Sequence, residues 1–258
     1  MPNLSASNTR LYFLDGDSTI KFLSRNGTVG AATTISLDAS SVAVFSVSPD
    51  DRRIAVAVIT FPYPARTRIY VEDLADGGHH VDIFSSSSAL EWPAGWHEGH
   101  LVIALGINAS PQNAGEWFNY GYRGYHVADA TTGARLANVC DGFDASAPPV
   151  PAGTVCVNYP AYKVSDWNGA SRSIIADAGC GGGALSPDGS LIAECQGNPR
   201  TVNLVARNGS TKPTAIRATP LGWIDRDHLV ARVDADRSLA QTQVGTAGFF
   251  AGSIPGGL

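Results

Sequence analysis

Charge is scarce in this sequence. Asp, Glu, Lys and Arg supply 16% of its 258 residues, against roughly a quarter in an ordinary soluble domain. The balance is mildly acidic, with 23 Asp and Glu against 18 Lys and Arg and a formal net charge of −5. No basic stripe is present, which argues against nucleic acid as a partner. No apolar run reaches the ~18 residues that would cross a bilayer as a helix, so direct membrane insertion is not expected. Intrinsic disorder is excluded as well, because 44% of the residues are hydrophobic and disorder requires low hydrophobicity with high net charge. Cysteine is limited to Cys140, Cys156, Cys180 and Cys195. None of them stands in Cys-x-x-Cys spacing, which argues against a zinc or thioredoxin-like site.

Turn formers are what the chain has in excess. It carries 28 Gly and 15 Pro among abundant Ser and Thr, as a turn-rich β protein requires. No stretch of ten or more residues shows a helical period. The turns also repeat. Ser48-Pro49-Asp50-Asp51-Arg52-Arg53-Ile54-Ala55 recurs as Ser186-Pro187-Asp188-Gly189-Ser190-Leu191-Ile192-Ala193. Gly95-Trp96-His97-Glu98-Gly99-His100-Leu101-Val102 recurs, one residue longer, from Gly222-Trp223 to His228-Leu229-Val230. Thr19–Gly27 recurs as Thr201–Gly209, each ending Arg-Asn-Gly, and Asn-Gly is a strong hairpin dipeptide.

These repeats set a register. An apolar strand starts near Leu11, Ile54, Leu101, Val155, Leu191 and Leu229, and a Gly turn follows at Gly27, Gly77, Gly133, Gly169, Gly209 and Gly245. Units of about 40 residues with four strands each are the pattern of a β-propeller. The expected fold is all-β, a six-bladed β-propeller of four-stranded antiparallel blades. A pair of immunoglobulin-like sandwiches is the alternative, but it would not repeat the same turns at multiples of one unit. The expected organisation is one propeller domain over 1–258, with blades at approximately 1–40, 41–86, 87–143, 144–178, 179–217 and 218–258. Either the Pro2–Asn8 segment or the Phe249–Ile254 tail supplies a strand that completes the first or last blade.

The Ser-Pro-Asp and Gly-Trp repeats resemble those of TolB-like, WD-repeat-like bacterial propellers. Blades one and four depart from the pattern, since neither Leu11 nor Val155 follows a Ser-Pro-Asp turn. The resemblance covers most of the chain, but its motifs specify a blade and not an activity.

The cysteines form two sequence-near pairs. Of three connectivities, Cys140–Cys156 with Cys180–Cys195 is favoured, each a local staple; four reduced, buried thiols are the alternative. Persistent disulfides imply an oxidising compartment. Met1–Ser5 shows no charged-then-apolar leader, so the chain reads as an excised extracytoplasmic domain, whether secreted, periplasmic or cell-surface.

Catalytic signatures are missing from the sequence. There is no Gly-x-Ser-x-Gly elbow, and Gly181-Gly182-Gly183 precedes a strand, not a helix, so it is not a phosphate loop. His97-Glu98-Gly99-His100 lacks the His-Glu-x-x-His spacing of a zinc helix, and the match of His100 to His228 points to blade packing. His79-His80 reads as a solvated turn, and His126 receives no role. Asp-x-Asp pairs at Asp15, Asp225 and Asp234 could hold calcium through their oxygens, but turn formation explains them more simply. The expectation is therefore no cofactor, with calcium the one metal these pairs would suit.

Loop length and aromatic content stand out instead. The expected ligand-binding rim gathers Phe61, Tyr63 and Arg66 from one blade, Trp117, Phe118, Tyr120 and Tyr122 from the next, and Tyr159 and Tyr162 from a third. Function concentrates on long loops held by a rigid scaffold, and polar-tipped aromatics dominate binding surfaces. The competing reading is a satellite core beneath a folded-back loop. The expected function is a non-catalytic extracytoplasmic binding or sensor propeller that recognises a protein, peptide or glycan. The alternative is a propeller hydrolase or lyase acting at a central channel with a bound metal.

Overall fold

The computed structural model describes residues 4–61, 65–106, 122–141, 144–145, 149–158, 161–174, 183–197, 200–232, 238–243 and 249–253. The chain divides into two compact units, Met1–Asp141 and Gly142–Leu258.

The first unit is three antiparallel ladders, each formed by four consecutive strands. They are β1 (Leu4–Ala6), β2 (Arg10–Asp15), β3 (Thr19–Ser24) and β4 (Val29–Thr34); then β5 (Ser41–Val47), β6 (Arg53–Thr60), β7 (Arg66–Asp73) and β8 (Val81–Ser86); then β9 (Glu91–His97), β10 (His100–Gly106), β11 (Tyr122–Ala128) and β12 (Arg135–Val139). The second unit repeats the plan. Its strands are β13 (Asp144–Ala145), β14 (Thr154–Asn158), β15 (Ala161–Ser165) and β16 (Ser171–Ile174); then β17 (Gly183–Leu185), β18 (Leu191–Gln196), β19 (Thr201–Ala206) and β20 (Thr211–Pro213); then β21 (Thr219–Trp223), β22 (His228–Arg232), β23 (Ser238–Gln243) and β24 (Phe249–Ser253). Among the described residues there is no helix.

The register read from the sequence lands on the strands. Leu11, Ile54, Leu101, Val155, Leu191 and Leu229 all lie in second strands of their ladders. Gly27, Gly77, Gly133, Gly169 and Gly209 sit in the third-to-fourth turns at φ of 86, 70, 73, 86 and 86°, a left-handed backbone that glycine adopts without steric cost. Gly245 lies outside the described residues. Both terminal segments complete ladders of their own: Leu4–Ala6 pairs with β2, and Phe249–Ser253 pairs with β23.

The second strand of the second ladder, β6, is buried on both faces. β6 therefore reads as a nearly continuous apolar run, Ile54-Ala55-Val56-Ala57-Val58-Ile59, in place of an alternating one. Ile54, Ile59 and Ile69 are fully buried, each worth about 1.5–3 kcal/mol relative to exposure. Between the first two ladders the core is Tyr12, Ile20, Phe45, Ile54, Val56 and Tyr70. In the second unit Val155, Tyr162, Leu185, Ile192 and Val205 form one core, and Ala193, Val202, Leu204, Leu229 and Ala231 another.

Both recurring motifs have a visible mechanism. In each Ser-Pro-Asp turn the serine hydroxyl donates to the aspartate, Ser48 to Asp50 at 2.6 Å and Ser186 to Asp188 at 2.7 Å. The same hydroxyl accepts the N–H that opens the next strand, from Arg53 at 2.9 Å and Leu191 at 3.0 Å. These serine bonds are the leading cause that holds both carboxyls below the usual aspartate range. In each Gly-Trp motif the indole N–H crosses to the preceding sheet. Trp96 donates to Ser46 O at 3.2 Å, and Trp223 to Ala184 O at 2.8 Å. Ser46 and Ala184 each stand two residues before their Ser-Pro-Asp serine, so the two motifs form one device that fixes a sheet on its predecessor. Arg53 completes it in the first unit, lying over the Trp96 ring at 5.0 Å and donating to Gly99 O at 3.1 Å.

Candidate functional site

In the first unit, β5 and β9 run in the same direction, because Trp96 near the end of β9 reaches Ser46 near the end of β5. The starts of both strands therefore lie at the opposite end of the unit. Ser41 pairs with Thr60, and Glu91 with Leu105, so the β6–β7 and β10–β11 connections emerge together there. Thr67 Oγ1 ties the two ladders at this end by donating to Ala89 O at 2.9 Å.

From that end a groove of about 550 Å³ runs along β7 between the first and second ladders. Its main wall is one face of β7. Alternation along a strand places Arg66, Arg68, Tyr70 and Glu72 together on that face, while Thr67, Ile69 and Val71 are buried on the other. The opposite wall carries Thr34, Ser36 and Asp38, and Ser85, Ser86 and Ser87 close one side.

Most of the β7 face is already tied into a network. Arg68 Nε donates to Asp82 Oδ1 at 2.8 Å, and its Nη2 donates to His80 Nε2 at 3.0 Å. Guanidinium only donates, so His80 Nε2 is the acceptor and the proton sits on Nδ1. That proton reaches Glu72 Oε2 at 3.1 Å. The His80 ring stacks on Tyr70, with centroids 4.7 Å apart and planes at 27°, and Arg68 lies 5.4 Å from the same ring. Burial, reinforced by the Glu72 charge, pushes the Tyr70 phenol up to about 12. Arg66 differs from these neighbours. It is exposed at the groove's outer end, and its guanidinium makes no hydrogen bond or ion pair among the described residues. Across from it, Asp38 is an exposed carboxylate without a cationic partner there.

The structure places the expected rim residues unevenly. Phe61 is half-buried just after β6, its N–H bonded to Ser40 O at 3.0 Å. Arg66 opens β7 and lines the groove. Tyr122 opens β11, paired with Gly106. Tyr63, Trp117, Phe118, Tyr120 and Tyr159 lie outside the described residues. Tyr162 does not stand on a rim: it is 3% exposed on β15 within the second unit's core, on the same face as buried Val164. The solvated-turn reading holds for both His79 and His80, which are exposed; beyond that reading, His80 lines the groove and stacks on Tyr70. The sequence signal for this face was the Arg66-x-Arg68-x-Tyr70-x-Glu72 alternation.

A second polar feature lies on the far side of the second ladder. Glu91 is 6% exposed, and its Oε2 has no hydrogen-bond donor. The nearest ionisable atom is His126 Nδ1 at 3.6 Å, which itself accepts from Arg135 Nη2 at 2.5 Å. His126 thus offers a lone pair to Arg135 and no proton to Glu91. Among the described residues no three or more His, Cys, Asp or Glu side chains are grouped to hold a metal. Cys140, Cys156 and Cys195 are disulfide-bonded, and no free thiol occurs among the described residues; Cys180 lies outside them.

No protein-family profile matches the sequence, and neither does any curated protein. Solved structures do match. The mitotic checkpoint complex contains a chain with a TM-score of 0.56 and 12% identity, matched over 95% of this chain and 79% of that one. A structure described as the eukaryotic initiation factor gives 0.55 and 15%, over 98% and 65%. TolB from Acinetobacter baumannii gives 0.42 and 15%, over 82% and 54%. The chain thus spans 54% and 65% of the TolB and initiation-factor chains. At these identities the likeness shows the fold alone. With its recurring turns and ladders of four antiparallel strands, that fold is a WD-repeat-like β-propeller.

Proposed function

We propose that residues 1–258 form one six-bladed propeller that acts as a non-catalytic binding module for a protein or peptide. The observation that carries this reading is the groove of about 550 Å³ along β7, which starts at the end where the β6–β7 and β10–β11 connections emerge. Its lining is mostly polar and charged, with Arg, Ser, Thr, Asp, Glu and His side chains and only Val58 and Tyr70 besides. Phe61, Tyr63, Trp117, Phe118, Tyr120 and Tyr122, on or beside those connections, supply the aromatic contacts of a binding rim. That a similar fold occurs in the mitotic checkpoint complex is consistent with use in a protein assembly. The disulfide-bonded cysteines favour an extracytoplasmic setting, and the module works without a metal or organic cofactor.

The test is selection of displayed random peptides on the oxidised full chain, followed by a Trp117→Ala/Tyr120→Ala variant. Binding should fall at least tenfold while Tm stays within about 1 °C, and EDTA should change neither. Selection that enriches no peptide, or enriched peptides indifferent to both substitutions, would overturn the reading. A large fall in Tm would assign the aromatics to a satellite core instead.

A further inference from the structure

Resting on that reading, we infer that the groove beside Arg66 recognises an isolated carboxylate on a bound peptide, with Arg66 as the residue that grips it. Three observations converge. Arg66 and Arg68 are two positions apart on one strand face and point into the same groove. Arg68 is committed to Asp82 and His80, whereas Arg66 has no partner among the described residues. A planar guanidinium with free donors matches a carboxylate in two parallel hydrogen bonds.

The surroundings fit the same ligand. Ser85 and Ser87 line the groove with hydroxyls that make no hydrogen bond among the described residues, so both can donate to a carboxylate oxygen. Glu72 does not compete for Arg66, because it stands six residues further along β7, about 20 Å on an extended strand. The Arg68–His80–Glu72 chain fixes the strand face behind the site, so Arg66 presents its charge from a rigid support.

Asp38 sets the limit on what binds. It is an exposed carboxylate on the opposite wall of the same groove, and it repels a second acid on the ligand. The groove therefore selects a single acidic residue flanked by neutral or basic ones, and disfavours a polyacidic run. The carboxylate can come from a Glu or Asp side chain or from a peptide C-terminus.

The experiment is an NMR titration of the full oxidised chain carrying 15N-labelled arginine, following the Arg66 Nε–H signal. The probes are Ac-Ala-Ala-Glu-Ala-Ala-NH2, its Gln counterpart, a triple-Glu version, and Ac-Ala-Ala-Ala-Ala-OH for the C-terminal source. The Glu probe should move the Arg66 signal saturably. The Gln probe should bind at least tenfold more weakly, and the triple-Glu probe no better than the single one. Whichever carboxylate source binds tighter identifies the natural one. Arg66→Ala should abolish the response at the neighbouring Arg68 signal, while Asp38→Asn should let the triple-Glu probe bind more tightly than in the native chain. Equal binding of the Glu and Gln probes, or an Arg68 response unchanged in Arg66→Ala, would overturn the inference. The wider binding role fails separately, when carboxylate binding persists but the Trp117→Ala/Tyr120→Ala variant still captures every selected peptide.

Discussion

Asp51 offers the sharpest stability test. It occupies the turn position that Gly189 occupies in the second Ser-Pro-Asp repeat, at φ of 61° against 69°. A non-glycine residue there costs about 1 kcal/mol, and the fold repays it across a sheet boundary. The Asp51 carboxylate accepts from the Tyr12 hydroxyl at 2.8 Å and from Thr9 Oγ1. Tyr12 is fully buried. Burial alone would raise the Asp51 pKa, but hydrogen bonds from Ser7, Thr9 and Tyr12 and the charge of Arg10 outweigh it and hold the group low. In Asp51→Gly the backbone relief of about 1 kcal/mol is largely cancelled by the added freedom of glycine in the unfolded chain. What remains is a buried phenol without an acceptor, about 1–3 kcal/mol. The expected loss is about 2 kcal/mol, or a Tm lower by about 4–8 °C. Asp51→Asn keeps an acceptor and tolerates the left-handed turn, so it should lose only about half as much. Urea unfolding followed by Trp fluorescence measures both. An Asp51→Gly variant as stable as the native chain would refute the cross-sheet role of this carboxylate.

Further outcomes follow from the same contacts. The lowered pKa values of Asp50, Asp51 and Asp188 mean that their stabilisation is complete above the unfolded value of about 4 and is lost as pH falls through the folded values; Asp51→Asn should flatten part of that acid limb in a Tm-versus-pH series. Tyr70 should ionise only near pH 12, seen as late absorbance at 295 nm, and a full-amplitude tyrosinate signal by pH 10 would contradict its burial. Glu91→Gln should stabilise the chain by about 1 kcal/mol, because it removes a buried charge whose Oε2 lacks a donor; destabilisation of that size would show that the carboxylate is paired in solution. Trp223→Phe should cost about 1 kcal/mol by removing the indole bond to Ala184 O. Peptide mapping of the unreduced chain should recover Cys140–Cys156 and Cys180–Cys195, each closure worth about 3 kcal/mol on the chain-entropy account.

The turns were legible because their chemistry is local. Ser48 bonds Asp50 and the Arg53 N–H within six residues, and the same arrangement returns at Ser186, so a repeated string implies a repeated structure. Strand positions followed from the turns. Roles that depend on a distant partner were not legible. Nothing in Ser-Pro-Asp-Asp announces that Asp51 holds Tyr12, 39 positions away. Tyr162 was read onto a rim because Tyr-Pro-Ala-Tyr looks like an exposed loop. Its alternation with Val164 was the better guide, since in a sheet covered on that face both residues must point into the core. His80 is exposed, as its place in a turn implies, but its stacking on Tyr70 of the adjacent strand is a contact between residues ten apart that the turn sequence does not disclose. The Arg-x-Arg-x-Tyr-x-Glu period of one groove wall is present in plain sequence, but the other wall comes from Thr34, Ser36 and Asp38, which nothing local to β7 discloses.

The central claim is that the groove beside Arg66 is a binding site and not an incidental seam between sheets. Titration of the native and Arg66→Ala chains with Ac-Ala-Ala-Glu-Ala-Ala-NH2 tests it most directly, read at the Arg68 Nε–H signal. A saturable response in the native chain, lost on removing Arg66 while Tm is unchanged, is the predicted result. A response of equal size in both chains, or none in the native chain, would contradict it.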